Sequence, residues 1–491
     1  MKLKPLSALI AAAFGGIAST AMALPVAQYQ LLAGDTAEIF ISGATAQENG
    51  LRLTVARMCT AGTMDSYRFA NQEAMFCTIN KTLVTGIPAS ITKMVVYKSG
   101  VGGSGNGVQP VADATNLQFI SMAALKSTPA LVLGSTAVPA VAPTAPDTIG
   151  VPAFNNVGVN STVASALQSL APDAGFSDVE PALLGANGAQ VARLKITAPN
   201  VLIFGVPVTK VVRDKLQAAQ GLTVGSETEA NMPSLRKNLI TSAYTGNLFN
   251  WSQLGLTGAN ALADDQIYLS TRVESSGTQR SYNVYVTGSA CTAGVVAVLP
   301  GTGTAADCTA AAPGNTVFAG SGSSNVLICM AGHNDNNRGA FGVLSMEFRE
   351  ITPASPPTIP VAIDNKFRNV KVDGFSPSHT NVVNGNYNFW MESSFQYRQS
   401  PAALPLGGVK QTIADRIVQQ LGTEAVLTQL NNAFSQPWGR SGLLAKPSAA
   451  NPPDVVVPPR TDAQVLANPT SAFTKSPQGT PVNCQVPVLF N

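Results

Sequence analysis

The stretch "QIYLSTRVESSGTQRS" (residues 266–281) joins an apolar segment to a polar, glycine-containing turn. Its first part, Gln266–Thr271, is rich in β-branched and aromatic residues, which predicts a buried strand. Three further stretches predict strands of the same kind: Glu38–Ile41, Thr92–Tyr97 and Val201–Val208. The predicted strands other than Val201–Val208 are each followed by a polar segment that contains glycine and serine.

Helical patterns lie between and after these strands. They are Leu51, Val55 and Met58 at helical spacing, residues 231–251, and residues 408–434. Strands that alternate with helices indicate an α/β protein with mixed, largely parallel sheets. Beyond residue 281, the segment "SYNVYV" would be a strand on propensity alone.

Composition narrows the class of protein. The chain has 491 residues, of which 45% are hydrophobic and 12% are charged, so it is long enough for roughly two to four domains with sizeable cores. The net charge is +3, without a dense run of Lys and Arg. There is therefore no electrostatic case for binding nucleic acid or a membrane surface.

The N-terminus has the pattern of a secretory signal peptide, residues 1–23. Lys2 and Lys4 precede a run of small and apolar residues, and Ala21-Met22-Ala23 offers a small-x-small cleavage site. The apolar run is too short for a membrane span, and no cysteine follows the cleavage site to carry a lipid anchor. We expect a monomer in the periplasm or secreted to the extracellular space.

The six cysteines fit an oxidising compartment, where an even number implies disulfides. They are Cys59, Cys77, Cys291, Cys308, Cys329 and Cys484. Proximity in sequence favours Cys59–Cys77 and Cys291–Cys308, which leaves Cys329–Cys484, although six cysteines allow fifteen pairings. With two histidines and no C-x-x-C motif, we expect no metal site, no thiol-redox site and no cofactor.

Two long segments and the C-terminal tail are expected to lie outside the alternating strands and helices. Residues 127–172 are rich in Ala, Pro, Val and Thr, and residues 287–324 in Gly, Ala, Ser and Thr, which indicates loop excursions. The Pro-rich tail, residues 446–491, predicts an extended strap that Cys484 ties down.

Four polar loops could expose backbone N–H groups to a ligand. They are "SGAT" (42–45), "GVGGSGNGV" (100–108), "AGFSDVE" (174–180) and "RVESSGT" (272–278). Thr45 and Glu48 also have the spacing of a T-x-x-E capping box. Backbone N–H groups, hydroxyls and one arginine fork suit a bound oxyanion, whereas Asp178 would repel an anion that carries no proton.

In content and order these loops resemble those of the phosphate-binding proteins of bacterial phosphate ABC transporters. "ISGAT", "GGSGNGVQ", "AGFSDVEPAL" and the Arg-x-x-x-Ser-Gly-Thr of "RVESSGT" carry the resemblance, which spans residues 38 to about 435. Glu274 is in a position to steady the arginine. The resemblance implies that seven residues bind phosphate: Thr45, Ser104, Asp178, Arg272, Ser276, Gly277 and Thr278.

The resemblance also implies a two-lobed periplasmic-binding-protein fold. Residues 24–200 and 362–445 would form lobe I and residues 201–361 lobe II, with hinge crossings near Val201 and Val361. The ligand would be inorganic phosphate or a close analogue such as arsenate, the partner an inner-membrane ABC permease, and the role phosphate uptake without catalysis. After Thr278 the family has a helix.

Two other functions compete with this one. A hydrolase with Ser276 as nucleophile would need a base, and neither His333 nor His379 lies in a recognisable motif. A secreted structural or interaction protein could keep the fold without transport, and the long inserts and the tail would then supply its contact surfaces.

Overall fold

The structure is a computed structural model, and it describes most of the chain after the predicted signal peptide. The described residues are 34–128, 151, 154–157, 166–354, 361–400, 402, 404–433, 435–454, 459–476 and 479–490. The predicted signal peptide and most of the insert at 127–172 lie outside them. None of the helices in these residues is long and apolar enough to cross a membrane.

The described strands, in chain order, include both long central strands and short edge pairs. They are β1 Thr36–Gly43, β2 Asp65–Phe69, β3 Gln72–Thr78, β4 Lys93–Ser99, β5 Leu117–Ile120, β6 Asn155–Asn156, β7 Leu167–Leu170, β8 Ala174–Ser177, β9 Leu194–Thr197, β10 Asn200–Ile203, β11 Pro207–Thr209, β12 Ser234–Leu235, β13 Asp264–Arg272, β14 Val317–Gly320, β15 Arg338–Gly342, β16 Ile351–Thr352, β17 Ile363–Asp364, β18 Phe367–Asn369, β19 Lys371–Val372, β20 Trp390–Glu392, β21 Ser394–Arg398, β22 Leu443–Ala445, β23 Phe473–Thr474 and β24 Val488–Leu489.

The described α-helices are mostly short. They are α1 Glu48–Met58, α2 Gly103–Asn106, α3 Gln109–Asp113, α4 Met122–Ser127, α5 Gly188–Ala192, α6 Lys210–Ala219, α7 Lys237–Tyr244, α8 Gly277–Tyr282, α9 Ala305–Thr309, α10 Ser323–Asp335, α11 His379–Val383, α12 Gly408–Leu421, α13 Glu424–Ala433 and α14 Asp462–Ala467. A π-helix, Asn283–Thr287, continues α8.

Two mixed sheets form the centres of two α/β lobes, which confirms the predicted two-lobed α/β fold. The first sheet has eight strands in the order β6-β2-β3-β4-β1-β8-β21-β9. Its central strand β1 pairs in parallel with both β4 and β8. The second sheet has the order β14-β13-β15-β11-β18, and its strand β13 pairs in parallel with β14 and β15. Strands β1, β4, β8 and β13 each end at one of the polar loops.

The segment between the lobes differs from the prediction. Residues 201–208 form two strands rather than one, because β10 joins a three-stranded sheet with β20 and β22 whereas β11 enters the second lobe's sheet. Gly205 lies between these two strands, and a Cβ there would lie 2.1 Å from Asn369 Oδ1. Strand β18 also belongs to the second lobe's sheet, although it lies within the range 362–445 that was expected in lobe I.

Other elements confirm or correct the sequence interpretation. The helical pattern at 51–58 is confirmed as α1. Within the second predicted helical pattern, residues 408–433 contain two helices, α12 and α13, separated at Gly422. Residues 231–251 contain one α-helix, α7. The segment "SYNVYV" is helical because Tyr282 is fully buried against both Tyr244 and Phe389, so tertiary packing overrides strand propensity.

The disulfides connect Cys59–Cys77, Cys291–Cys484 and Cys308–Cys329. The first confirms the prediction, whereas the pairings Cys291–Cys308 and Cys329–Cys484 are wrong. Cys308 lies on α9, which packs against α10 and so brings it to Cys329. The segment 287–324 was expected to be a loop excursion, but its end forms strand β14, which pairs with β13 in the second sheet.

The C-terminal tail connects the two lobes, and Cys484 ties it down as predicted. Cys484 bonds to Cys291, which follows the π-helix in the second lobe. The preceding residue, Asn483, donates from Nδ2 to Glu180 Oε2 at 2.6 Å and from its backbone N–H to Glu180 Oε1 at 2.9 Å. Glu180 lies two residues after Asp178 in the first lobe, so the tail spans the junction close to the candidate site.

Removal of the Cys291–Cys484 bond should destabilise the protein more than removal of Cys308–Cys329. The two bonds join residues 193 and 21 positions apart, for which loss of loop-closure entropy in the unfolded chain gives about 5 and about 3 kcal/mol. Urea denaturation of the Cys291→Ser/Cys484→Ser and Cys308→Ser/Cys329→Ser variants measures both losses. A larger loss from the second variant would contradict this role of the tail.

Candidate anion-binding site between the lobes

Three glycines bring the polar loops of the first lobe together. A Cβ on Gly43 would lie 2.1 Å from Phe176 O, and one on Gly175 would lie 2.0 Å from Gly107 O. Gly107 itself approaches Phe176 O so closely that its Cβ would lie 2.0 Å away. Only residues without a side chain fit there, so the loops after β1, β4 and β8 meet backbone to backbone.

Ser104 and Asp178 meet within this cluster. Asp178 donates its backbone N–H to Ser104 Oγ at 3.2 Å, and the two residues are 3% and 2% exposed respectively. Ser104 lies in α2, directly after the glycine turn that ends β4. The structure therefore brings together two of the predicted ligand residues, from loops 74 positions apart.

The second lobe contacts this pair directly through "SSGT". Thr278 Oγ1 donates to Asp178 Oδ2 at 2.9 Å, and a Cβ on Gly277 would lie 2.4 Å from Ser104 Oγ. Ser276 caps α8, because its Oγ accepts the Gln279 backbone N–H at 3.3 Å. All three residues of the second lobe are buried, and they face the first lobe in a closed arrangement.

A backbone bond also crosses the junction beside this contact. Gly105 N–H donates to Ser275 O at 2.9 Å. Glu274 does not steady Arg272, since its Oε2 lies 2.9 Å from Arg280 Nη1 in the last turn of α8. The expectation for Glu274 is thus wrong: its side chain is more than half exposed and points along the helix.

Arg272, at the end of β13, is held by the second lobe and faces the first. Its Nε donates to Gly320 O at 3.2 Å, Nη1 to Ser323 Oγ at 2.7 Å and Nη2 to Ser321 O at 3.0 Å. A guanidinium has five N–H donors, so one remains on each Nη atom. A Cβ on Gly103 would lie 3.8 Å from Nη2, which places the fork against the loop that carries Ser104.

Thr45 lies at the margin of this group. It begins a short 3₁₀ turn after β1, and its Cγ2 would lie 3.1 Å from a Cβ on Gly100. The predicted capping box is wrong, because α1 begins at Glu48 and the Glu48 carboxylate lies 3.3 Å from Lys98 Nζ instead. Among the described residues, no hydrogen bond links Thr45 to Asp178 or Arg272.

Burial dominates the electrostatics of the site. Burial raises the pKa of Asp178, although the hydrogen bond from Thr278 and the positive charges of Arg272 and Lys98 lower it in part. Burial also lowers the pKa of Arg272, which the negative charges of Asp178 and Glu347 oppose. The site thus holds few charges, each poorly solvated. A charged ligand would therefore shift the pKa values of Asp178 and Arg272 strongly.

Sequence reasoning missed two charged residues of the site, Lys98 and Glu347. Lys98 is the last but one residue of β4, and its Nζ donates to Gly43 O at 2.8 Å inside the glycine cluster. Glu347 comes five residues after the end of β15, and its negative charge opposes the lowering of the Arg272 pKa. A charged residue within an otherwise apolar strand or segment was the available signal, but nothing in the sequence shows which loop such a residue faces.

The histidines serve packing. His333 stacks on Tyr268 with ring centres 4.7 Å apart, and burial lowers its pKa to about 4. Burial likewise lowers the pKa of His379 to about 3. Within the described part of the chain neither contacts Ser276, whose hydroxyl accepts a hydrogen bond as a helix cap.

A cavity of about 450 Å³ lies elsewhere, between the tail and the region around α11 and α13. Its lining includes His379, Trp438, Arg440 and Asp462. None of the predicted phosphate residues lines it.

Comparisons with known proteins give structural neighbours and no sequence relatives. No family model matches the chain, and no curated protein matches it significantly. A protein from Clostridium perfringens assigned as a phosphate ABC transporter substrate-binding protein, with bound phosphate, is 13% identical over 81% of this chain and 98% of its own, with a TM-score of 0.40.

Two further solved structures are similar to a lower degree. An ABC-type phosphate transport receptor from Vibrio cholerae is 14% identical over 54% of this chain and 79% of its own, with a TM-score of 0.30. PstS from Borrelia burgdorferi is 8% identical over 83% of this chain and 98% of its own, with a TM-score of 0.33. These values are low, so the function proposed below rests on the contacts of the site.

Substitution Gly43→Ala should destabilise the protein by about 1–3 kcal/mol, because the new methyl group overlaps Phe176 O and the residue has a φ of +106°. Gly188→Ala is the matched control: a Cβ there meets no atom within 4 Å, so we expect a change under about 0.5 kcal/mol. Urea denaturation measures both. Equal stability of the two variants would show that the glycine contact does not constrain the loops.

Proposed function

We propose that this protein binds inorganic phosphate, or a close analogue such as arsenate, in the cleft between its two lobes. The residues that would bind it are Thr45, Ser104, Asp178, Arg272, Ser276, Gly277 and Thr278. Capture would serve phosphate uptake in the periplasm or outside the cell. Delivery to an inner-membrane ABC permease rests on the sequence resemblance alone. So does the division into lobe I (24–200 and 362–445) and lobe II (201–361), apart from β18, which pairs in the second lobe's sheet.

The observation that carries the proposal is the carboxylate of Asp178. Its Oδ2 accepts from Thr278, whereas its Oδ1 is buried and has no hydrogen-bond partner among the described residues. A buried acceptor without a donor costs about 1–3 kcal/mol, and more when it is charged. A hydroxyl group on a ligand would satisfy it.

Arg272 supports an anion as that ligand. Its two remaining N–H groups, one on each Nη atom, have the geometry of a fork that binds two oxygens of one tetrahedral anion. Hydrogen phosphate combines negative charge with one hydroxyl, so it would satisfy Arg272 and Asp178 together. Sulfate has no hydroxyl near neutral pH, and its oxygen would face Asp178 as an unpaired like charge.

Binding requires the lobes to separate and close again. In the closed arrangement Thr278 donates directly to Asp178 and Gly105 to Ser275. Both bonds join loops of different lobes, so opening at the crossing segments would break them and expose the site. Closure around the anion would then restore or replace them.

The wild-type protein should bind phosphate at least about a hundredfold more tightly than sulfate. The reason is that Asp178 Oδ1 accepts a hydrogen bond from hydrogen phosphate but faces a negatively charged oxygen of sulfate, a difference of about 3 kcal/mol in binding free energy. In Asp178→Asn, whose amide can donate to sulfate, the ratio should fall to within about tenfold. Isothermal titration of both anions measures the ratio.

The control is Asp335→Asn, which removes the same charge from an exposed position and should leave the ratio unchanged. Equal affinities of the wild-type protein for both anions would contradict the role of Asp178, and absence of phosphate binding would contradict the proposed function.

A further inference from the structure

We propose that the consecutive residues Asn483 and Cys484 form a short tether between the two lobes, which limits how far the cleft opens and so slows exchange of the bound anion. Asn483 holds the first lobe, and Cys484 holds the second. The slower exchange of the anion rests on the proposed function, whereas the limit on opening does not depend on the identity of the ligand.

The first-lobe end of the tether is Asn483, which is 2% exposed. Its backbone N–H and its Nδ2 donate to the two carboxyl oxygens of Glu180, at 2.9 and 2.6 Å. Nδ2 also donates to Glu392 O at 3.0 Å, and Oδ1 accepts the Glu392 backbone N–H at 2.8 Å. Because Glu180 is buried, release of Asn483 would leave a buried carboxyl group without these two donors. The tail is therefore held firmly two residues from Asp178.

The second-lobe end of the tether is Cys291, which forms the disulfide with Cys484. Cys291 lies on a turn after the π-helix Asn283–Thr287, which continues α8. The turn is fixed to this helix, because the Cys291 backbone N–H donates to Gly288 O at 3.1 Å and the Gly288 N–H bonds back into the helix at 3.0 Å. Thr278 lies in the first turn of α8. The tether therefore holds the same helix that contacts the first lobe at the candidate site.

The tether has almost no slack. The Cα atoms of Asn483 and Cys484 are about 3.8 Å apart because the residues are consecutive, and those of Cys484 and Cys291 are 5.4 Å apart. While the disulfide is intact, the Cys291 Cα therefore stays within about 9 Å of the Asn483 Cα. When the lobes separate, Cys291 moves with α8 and Glu180 moves with the first lobe. Opening beyond the reach of the tether requires Asn483 to leave Glu180.

Two effects on the bound anion follow from a limited opening. The closed fraction of the free protein increases, so more of the protein already has the arrangement that binds the anion. The anion enters and leaves only while the cleft is open, so its entry and its release both become slower.

Hydrogen exchange of the protein without phosphate measures the opening through the Gly105 amide, which donates to Ser275 O across the junction. In a slack variant, four residues (Gly-Ser-Gly-Ser) inserted between Asn483 and Cys484 lengthen the tether and leave both of its ends in place. The Gly105 amide should exchange at least about fivefold faster in the slack variant than in the wild-type protein. The Leu269 amide, which is bonded within the second lobe's sheet, should keep its wild-type rate.

The matched control carries the same four residues between Gly479 and Thr480, which are exposed and precede the tether. It alters the tail but not the tether, so the Gly105 amide should exchange as in the wild-type protein. The variant Cys291→Ser/Cys484→Ser removes the second-lobe end and should match the slack variant. It replaces the slack variant in the test if the insertion prevents folding.

Displacement of radiolabelled phosphate by excess unlabelled phosphate measures the exchange of the ligand. Release should be about tenfold faster from the slack variant than from the wild-type protein and the control. Unchanged Gly105 exchange or unchanged phosphate release in the slack variant, or an equal change in the control, would overturn the inference and leave the proposed function intact. Failure of the wild-type protein to bind phosphate would overturn the proposed function, and Gly105 exchange would still decide whether the tether limits opening.

Discussion

The close contact of three glycine backbones, Gly43, Gly107 and Gly175, is the constraint on which the candidate site depends. At each of them a side chain would overlap a backbone atom of a neighbouring segment. The loops after three strands of the first lobe therefore meet without intervening side chains, and Ser104 comes within hydrogen-bond distance of the backbone of Asp178. The second lobe then closes on this pair through Gly277, where the space again admits no Cβ.

The charges that meet at the junction determine what the cleft can bind. Arg272 is fixed by three bonds to its own lobe and keeps two N–H groups. Opposite it is an acceptor, Asp178, with one oxygen unpaired among the described residues. A fully deprotonated anion would meet a like charge here, whereas an anion that brings a hydroxyl group would satisfy it. Selectivity in this account comes from an acceptor rather than from additional positive charge.

The sequence predicted the strands and loops that form the site, because a buried strand followed by a polar glycine turn is a local pattern. It could not predict contacts that depend on distant packing. Cys291 pairs with Cys484 across 193 positions, and Thr278 meets Asp178 across the junction of the two lobes. Within the apolar residues 201–208, Gly205 and Pro207 are local signals of a break between two strands, but nothing local shows that these strands join different sheets. The helix after Thr278 follows from the burial of Tyr282 and not from propensity.

The central claim is that a tetrahedral anion binds between Asp178 and Arg272. Crystals of the mature protein grown with arsenate test it most directly, because anomalous diffraction of arsenic locates the ion without reference to the fold. The account predicts one arsenic peak in the cleft, with arsenate oxygens within hydrogen-bond distance of Asp178 Oδ1 and of both Nη atoms of Arg272. A peak elsewhere, or none at saturating arsenate with the lobes closed as described, would contradict it.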